Sequence, residues 1–505
     1  LKSGEKGLQY AKYLSATERF GLYAVIVWTG ACVMMLEILG TRVLAPFYGT
    51  SLIVWAALIS VTLVALALGY FLGGFLAERA DLSLSQVLAL AGVACAAVPS
   101  LAKQVLMLSE PLGLHLGALV SASLLFALPL TLLAMVGPWI IQLCCVSANA
   151  AGLTSGTVYA ISTLGSVAGT LALSFYLLPT FGSRLLLSSL GMSLIGLAVF
   201  VSRWEAKRCQ QRWRPVWVFV AGLCALGFWY VAEAKASNAR FQGESLYGKV
   251  QVVDDPKFNA RWLLVDASII GGIDLITGES RLAYQELVVK ALSVSPAAQN
   301  VLLIGLGAGT LVPKFERLGL KVDVIELDPR VAEAAQTWFN FRLAGKLWIA
   351  DARTKVREIP HRYDLIVHDC FTGGSEPTHL LTLEAFKDLR ARLAPQGVLV
   401  LNFVGFQSGP GRKALEWVFR TLQTVFPKVV LLADEPRENF TDFVFLAASF
   451  PFALPAILEP YRIGFSPPPG PVLHDAHNPL EFFQQEKAKT YRALLFEQVG
   501  RDLFL

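Results

Sequence analysis

Charged residues are scarce in this chain. Asp, Glu, Lys and Arg make up only 16% of 505 residues, and mean hydropathy is +0.54. That excludes a chain soluble throughout its length, and the length exceeds one ordinary domain. Cysteine is sparse and unpatterned: seven residues, one adjacent pair (Cys144-Cys145) and no CxxC spacing. Neither a zinc site nor a disulfide framework is expected, and no other metal site is read. There is no basic, aromatic-interleaved patch, so no nucleic-acid partner is expected. A polar segment precedes the first apolar run, so no cleavable signal peptide is expected either.

Apolar sequence is abundant, and it lies in the first half. After a polar, mildly basic tail (1–19) come runs at about 20–40, 52–77, 86–108, 112–136, 157–178, 183–202 and 215–232. Most reach the ~20 residues needed to cross a hydrocarbon core. They predict seven spanning helices and a transmembrane domain over 20–235. Residues 137–152 are also apolar and uncharged, and read as a re-entrant segment or an eighth helix. Small residues four apart, Gly69/Gly73 and Gly165/Gly169, allow close helix approach and are read as packing. Glu37 lies deep in the first run with Arg42 five residues on, either a functional acid or one half of a structural pair. Lys2, Lys6, Lys12 and Arg19 at the N-terminus, and the loop Arg203 to Arg214, place both on the cytoplasmic side.

The second half has ordinary soluble composition. Short β-rich segments, Tyr247 to Val253, Arg261 to Asp266 and Ser268 to Ile276, predict a small β unit over 243–280. The stretch Val301 to Asp369 organises the remainder, a domain over 281–505. It opens with the strand Val301 to Ile304, then Gly305-Leu306-Gly307-Ala308-Gly309 and a helix. A second strand ends on Glu326. A third is followed by Asp351, and a fourth by Asp369. Each acid falls at the C-terminal end of a strand, where open α/β sheets bind ligands. The glycines admit close backbone approach, and the helix N-terminus adds a positive dipole end. The series reads as a Rossmann-like domain of the S-adenosylmethionine (AdoMet) type. Glu326 is placed to accept from ribose hydroxyls and Asp351 from an adenine amino group. His379, on the loop after Asp369, and Asp475, in a Pro-rich tail with no core pattern, are candidates for the same site.

From about 245 to 450 the chain resembles the spermidine synthases, the polyamine aminopropyltransferases. The resemblance is carried by Tyr284-Gln285-Glu286, Gly305 to Thr310, Val324 to Asp328, Asp351, and Tyr363 to Asp369. Asp369-Cys370-Phe371, Pro377 to Thr382 and the tail Leu473 to Pro479 look like the multi-pass "fused" spermidine synthase-like membrane proteins. So does the apolar half, through Glu37 to Gly40 and Gly73 to Arg79. The fold implied is an α-helical transmembrane bundle fused to a small β unit and an α/β Rossmann-like AdoMet-binding domain. The resemblance implies that Gly305, Gly307 and Gly309 line a sulfonium nucleoside, with Glu326 on its ribose and Asp351 on its adenine. It makes Asp369 the catalytic carboxylate and Tyr284 a substrate-site tyrosine. Three departures stand out: the family's glycine loop has an Asp at Ala308, its catalytic loop a second Asp at Thr372, and a substrate-site Gln falls at Ile270.

The activity implied is transfer of an aminopropyl-type group to an amine or lipid-phase acceptor, with AdoMet or decarboxylated AdoMet as cosubstrate. Methyl transfer, AdoMet cleavage releasing methylthioadenosine, and a transporter or sensor with a non-catalytic nucleoside domain are the alternatives. A lipid bilayer and a second copy of the chain complete the expected partners. The bacterial inner membrane is the expected location. Seven spans would put the catalytic domain opposite the cytoplasmic AdoMet supply, so its side is left open.

Overall fold

Long helices fill the first half of the computed structural model and two β-sheets the second. The structure describes residues 14–49, 52–79, 82–208, 216–234, 239–266, 268–371 and 376–499. Lys2, Lys6, Lys12, Arg212, Arg214 and Thr372 lie outside them. The chain divides into two units, Leu1–Ser237 and Asn238–Leu505.

The first unit contains the long helices α1 (Ala16–Tyr48), α2 (Leu52–Arg79), α3 (Leu84–Ser109), α4 (Gly113–Cys144), α5 (Ala151–Ala172), α6 (Ser183–Arg208) and α7 (Val216–Ala234). Ser15 with Glu18 and Ser83 with Gln86 form capping boxes that satisfy the first amides of α1 and α3. Residues 137–152 form no separate α-helix: they hold the end of α4, a 3-10 turn at Ala148–Ala150 and the start of α5. α4 runs on through Pro138 to Cys144, because no charge or left-handed residue stops it before the turn at Ser147. α5 is extended by a π-helical turn, Leu173–Leu177.

Small residues set the helix contacts. A Cβ on Gly165 would lie 2.2 Å from the Val27 carbonyl oxygen, and one on Gly69 would lie 2.4 Å from Ala134 Cβ. These glycines therefore let α5 approach α1, and α2 approach α4, backbone to backbone. Among the described residues, five stretches are long and apolar enough to cross a membrane by length and composition; one of them, Leu84–Cys144, is two helices that meet at Gly113. The outward faces are apolar as well: Leu63, Phe71, Leu128 and Leu164 are each more than 60% exposed. Glu37 is half-buried in α1 and makes no ion pair with Arg42 among the described residues.

The second unit opens with an antiparallel sheet of β1 (Ala239–Glu244), β2 (Lys249–Asp255), β3 (Ala260–Val265) and β4 (Ser268–Asp274). β1 precedes the first strand read from the sequence. Helix α8 (Tyr284–Lys290) leads into β5 (Asn300–Ile304), α9 (Leu311–Arg317), β6 (Lys321–Glu326), α10 (Pro329–Trp338), β7 (Leu347–Ile349), α11 (Ala352–Glu358) and β8 (Tyr363–His368). Then come α12 (Leu383–Ala391), β9 (Leu393–Phe406), α13 (Arg412–Val425), β10 (Lys428–Ala433), β11 (Phe440–Ala448) and α14 (Leu480–Val499). The large sheet has the order β10-β11-β9-β8-β5-β6-β7, parallel from β9 to β7 and antiparallel at β10 and β11.

Strand alternation explains why its central strands are continuously apolar. Leu302, Ile304, Ile366 and Leu401 pack into one core with α12 and α13, whereas Val301, Leu303, Val367 and Val400 pack into another with α8 and α9. Both faces are covered, as parallel sheets require. Chain order reverses beside β5, which has β8 on one side and β6 on the other. A ligand crevice belongs at the C-terminal ends of these strands.

Candidate active site at the C-terminal strand ends

β5 delivers the glycine loop. Gly305, Gly307 and Gly309 have φ of +91°, +53° and +76°, values that other residues adopt only with strain. The space is as restrictive as the torsions. A Cβ on Gly305 would meet the Asp369 carbonyl oxygen at 2.1 Å, one on Gly307 the Ile270 carbonyl oxygen at 2.5 Å, and one on Gly309 the Phe341 ring at 2.6 Å. Gly305 and Gly307 therefore let the chain after β5 approach the end of β8 and the middle of β4. Gly305 and Gly307 line the cavity at this sheet edge; Gly309 does not.

The cavity measures about 760 Å³ and takes walls from both sheets, from α8 and from α14, within the range of small-molecule sites. Glu326, 8% exposed, accepts from the Leu306 amide (2.8 Å) and the Asp328 amide (2.8 Å). The Leu327 amide also acts on this carboxylate. Burial raises its pKa against the pull of those amides. Asp351 caps α11 by accepting from the Thr354 amide at 3.0 Å, and its other oxygen is 3.4 Å from His379 Nε2. Burial acts upward on Asp351, but the Thr354 amide and His379 outweigh it and hold the carboxyl below its usual range. His379 thus lies beside Asp351, and both line the cavity.

Asp369 sits just past β8, half-buried, with its amide on the Ile304 carbonyl at 2.8 Å. Tyr284 Oη donates to its two oxygens at 2.8 and 3.1 Å, and Asn402 Nδ2 donates at 3.1 Å. Burial raises the Asp369 pKa although both donors oppose it. The result is an oriented carboxylate with above-normal basicity. His368, one residue earlier, points to the other side of the sheet. Neither ring nitrogen has a hydrogen-bond partner among the described residues, and burial pushes its pKa down to about 4, so it is neutral packing. Asp364 accepts from the Gln299 and Asn300 amides at the far end of the strand.

Asp475 is not part of the cavity. It accepts from Arg353 Nη2 (2.8 Å) and Thr382 Oγ1 (2.6 Å), tying the tail to α11 and α12. Sequence reasoning read α14 as a final amphipathic helix but missed that it, with Asn402, Asp434 and Asp442, lines the cavity. Asn402 is a lone polar residue in the apolar run Val398 to Phe403, which is a usable signal. The position of α14 has none. It is anchored by Lys487, whose ammonium pairs with Glu376 in a fully buried contact and lies 4.4 Å from the Phe403 ring. Tyr491 donates to the Ile269 carbonyl at 2.9 Å.

This arrangement is a Rossmann-like α/β unit with its acids gathered at the strand ends. No family model matches the chain. Among curated relatives, it is 25% identical over 418 residues to polyamine aminopropyltransferase 1 of Streptomyces coelicolor, covering 76% of each chain. It is 30% identical over 126 residues to the polyamine aminopropyltransferase of Vibrio vulnificus, covering 24% of this chain and 42% of that protein. It is 35% identical over 157 residues to the N-terminal histidine N-methyltransferase of Emericella nidulans, covering 29% of this chain and 28% of that protein. A probable spermidine synthase from Corynebacterium glutamicum is a similar solved structure, at 20% identity and a TM-score of 0.38, covering 42% of this chain and 81% of that one. The chain is spermidine synthase-like. It spans 28% and 42% of the length of the first two curated relatives.

Proposed function

We propose that the protein is a membrane-anchored transferase that binds AdoMet or decarboxylated AdoMet and passes an aminopropyl-type group to an amine. One observation carries this reading: Asp369, oriented by Tyr284 and Asn402, shares one cavity with Glu326 and Asp351. The residues fit such a ligand. Glu326 lines the space as an acceptor for a ribose diol, Asp351 and His379 offer an acceptor and a donor to a base, and the backbone at Gly305 and Gly307 borders the space with no side chain. A bound sulfonium nucleoside supplies an electrophilic carbon. Asp369 then orients the attacking nitrogen and accepts its proton, while an N–C bond forms and the S–C bond breaks. Tyr284, held protonated by burial and by Asp369, steadies that carboxylate.

Membrane anchoring is supported by the apolar stretches and by the apolar outward faces of their helices. A bacterial inner membrane would suit such an anchor. The amine could reach the site from water or from the lipid phase.

Methyl transfer is the second reading. Ala308 leaves the glycine loop without an acid to meet the amine of decarboxylated AdoMet, and methyltransferases are among the relatives. Incubating the purified protein with each nucleoside and an amine, followed by mass spectrometry, decides between them. Methylthioadenosine with an aminopropylated amine supports the first reading. Adenosylhomocysteine supports the second, and no nucleoside binding refutes both.

A further inference from the structure

Glu37 has no part in the transfer chemistry. It sits well inside α1, half-buried, between the apolar pairs Met35-Leu36 and Ile38-Leu39. Among the described residues no hydrogen bond or ion pair involves its carboxylate. An ionisable group within an apolar spanning helix costs free energy unless something offsets its charge. Helical geometry places its surroundings. Seven residues before it, a Cβ on Gly30 would lie 2.4 Å from the Ser162 carbonyl oxygen of α5. Three residues after it, a Cβ on Gly40 would lie 2.8 Å from the Leu58 side chain of α2. Residues three or seven apart share a helix face. Glu37 therefore lies on the part of α1 that borders α2 and α5.

Two further oxygens fall at its level. α2 begins four residues after α1 ends and meets Gly40 at Leu58, so the two helices run in opposite directions. One turn back along α1 then matches one turn on along α2, which sets Thr62 opposite Glu37. Thr62 is 3% exposed, and its hydroxyl has no hydrogen-bond partner among the described residues. Thr29, Thr131 and Thr170 each bond the carbonyl four residues back; Thr62 does not. α5 runs parallel to α1, because a Cβ on Gly165 would meet Val27 and one on Gly169 would meet Ala31. Six residues on from Ala31 is Glu37, and six on from Gly169 is Phe175, inside the π-helical turn Leu173–Leu177. In that turn the Leu178 amide reaches back to the Leu173 carbonyl. The Ser174 carbonyl thereby loses its α-helical donor, and its π-helical donor would be Pro179, which has no N–H. Such π turns inside α-helices recur at functional sites.

These groups share one chemistry. A carboxylate, a hydroxyl and a backbone carbonyl present several acceptors, with the Thr62 hydroxyl hydrogen as their one donor. One bound proton would cancel the charge but satisfy only one further acceptor. A hard monovalent cation cancels the charge and takes all three oxygens at once. Carbonyls freed by irregular helices hold cations in membrane bundles for the same reason. We propose that Glu37, Thr62 and the Ser174 carbonyl form a sodium site within the helical unit. It goes beyond the transferase reading and is independent of the transfer chemistry.

The test uses the full chain in detergent, radioactive sodium as the probe, and the variants Glu37→Gln and Thr62→Val, with circular dichroism to check folding. The parent should bind sodium saturably. It should also melt at a higher temperature in sodium chloride than in choline chloride of equal ionic strength. Glu37→Gln should lose both effects. Thr62→Val keeps the shape but removes the oxygen, and should weaken sodium binding about 5- to 10-fold, the loss expected for one neutral polar contact. If Glu37→Gln does not fold, Thr62→Val decides alone: unchanged affinity overturns the site and weaker binding supports it. A parent without saturable sodium binding overturns the proposal, and so does Glu37→Gln binding sodium like the parent. Melting that responds to pH but not to sodium overturns it as well, because a proton then holds the carboxylate. These readouts need neither nucleoside nor acceptor, so failure of the transferase reading would leave them unchanged.

Discussion

At the scale of single residues, environment separates acids that look alike in sequence. Asp364 and Asp369 bracket the same strand, yet one serves two backbone amides and the other takes a tyrosine and an asparagine inside a cavity. Asp369→Asn keeps size and most hydrogen bonds but cannot accept a proton. Turnover should fall by about 10²–10⁴-fold, with nucleoside affinity measured by calorimetry nearly unchanged. Glu326→Ala should instead abolish nucleoside binding while the protein stays folded, read by calorimetry beside circular dichroism. Asp442 makes a pH prediction. Its folded pKa, pushed up to about 7, exceeds the ordinary carboxyl value, so the native state binds more protons than the unfolded state between about pH 4 and 7. Its contribution to stability should therefore decline as pH rises through that window and level off above it. In urea titrations from pH 4 to 8, Asp442→Asn should lose that part of the decline.

At the scale of elements, the helix farthest along the described chain completes the site. Its anchor is a pair of charges, each no more than 2% exposed at the side chain. Burial pushes the Lys487 pKa down while Glu376 opposes the shift. Glu376 also accepts from the Val404 amide at 2.9 Å, which ties this carboxylate to β9. Lys487→Met should cost about 3–5 kcal/mol in urea unfolding, because it leaves a buried carboxylate without its partner. The double variant with Glu376→Gln should recover most of that loss. Tyr491, Leu494 and Leu495 line the cavity, so the single variant should also weaken acceptor binding. The clasp around Asp475 behaves differently. With Asp475 half exposed, Asp475→Ala should lower stability by about 1 kcal/mol at most and leave kcat within about twofold.

At the scale of the whole molecule, the second unit has its own cores on both faces of its sheet. If the apolar helices only anchor it, residues 238–505 expressed alone should turn over a water-soluble acceptor at the full-length rate. A loss confined to lipid-phase acceptors would show that the helices deliver the substrate. Either outcome is read in one assay with detergent-solubilised full-length protein as reference.

Much of this protein was determined locally along its sequence. The apolar runs, the strand-acid series ending at Glu326, Asp351 and Asp369, and the glycine loop are short-range patterns, because strand periodicity and turn chemistry act over a few residues. The extra length of α4 was less legible, since an apolar helix that runs through Pro138 has no local stop signal. What only the tertiary structure decided were meetings between distant segments. Asn402 reaches Asp369 across 33 positions, and Lys487 reaches Glu376 across 111. Asp475 looked free because its tail has no core pattern, yet Arg353, 122 positions away, holds it outside the cavity. Asp434 and Asp442 face each other only because β10 and β11 pair in one register. Such contacts depend on which faces pack together, and that choice belongs to the folded sheet as a whole.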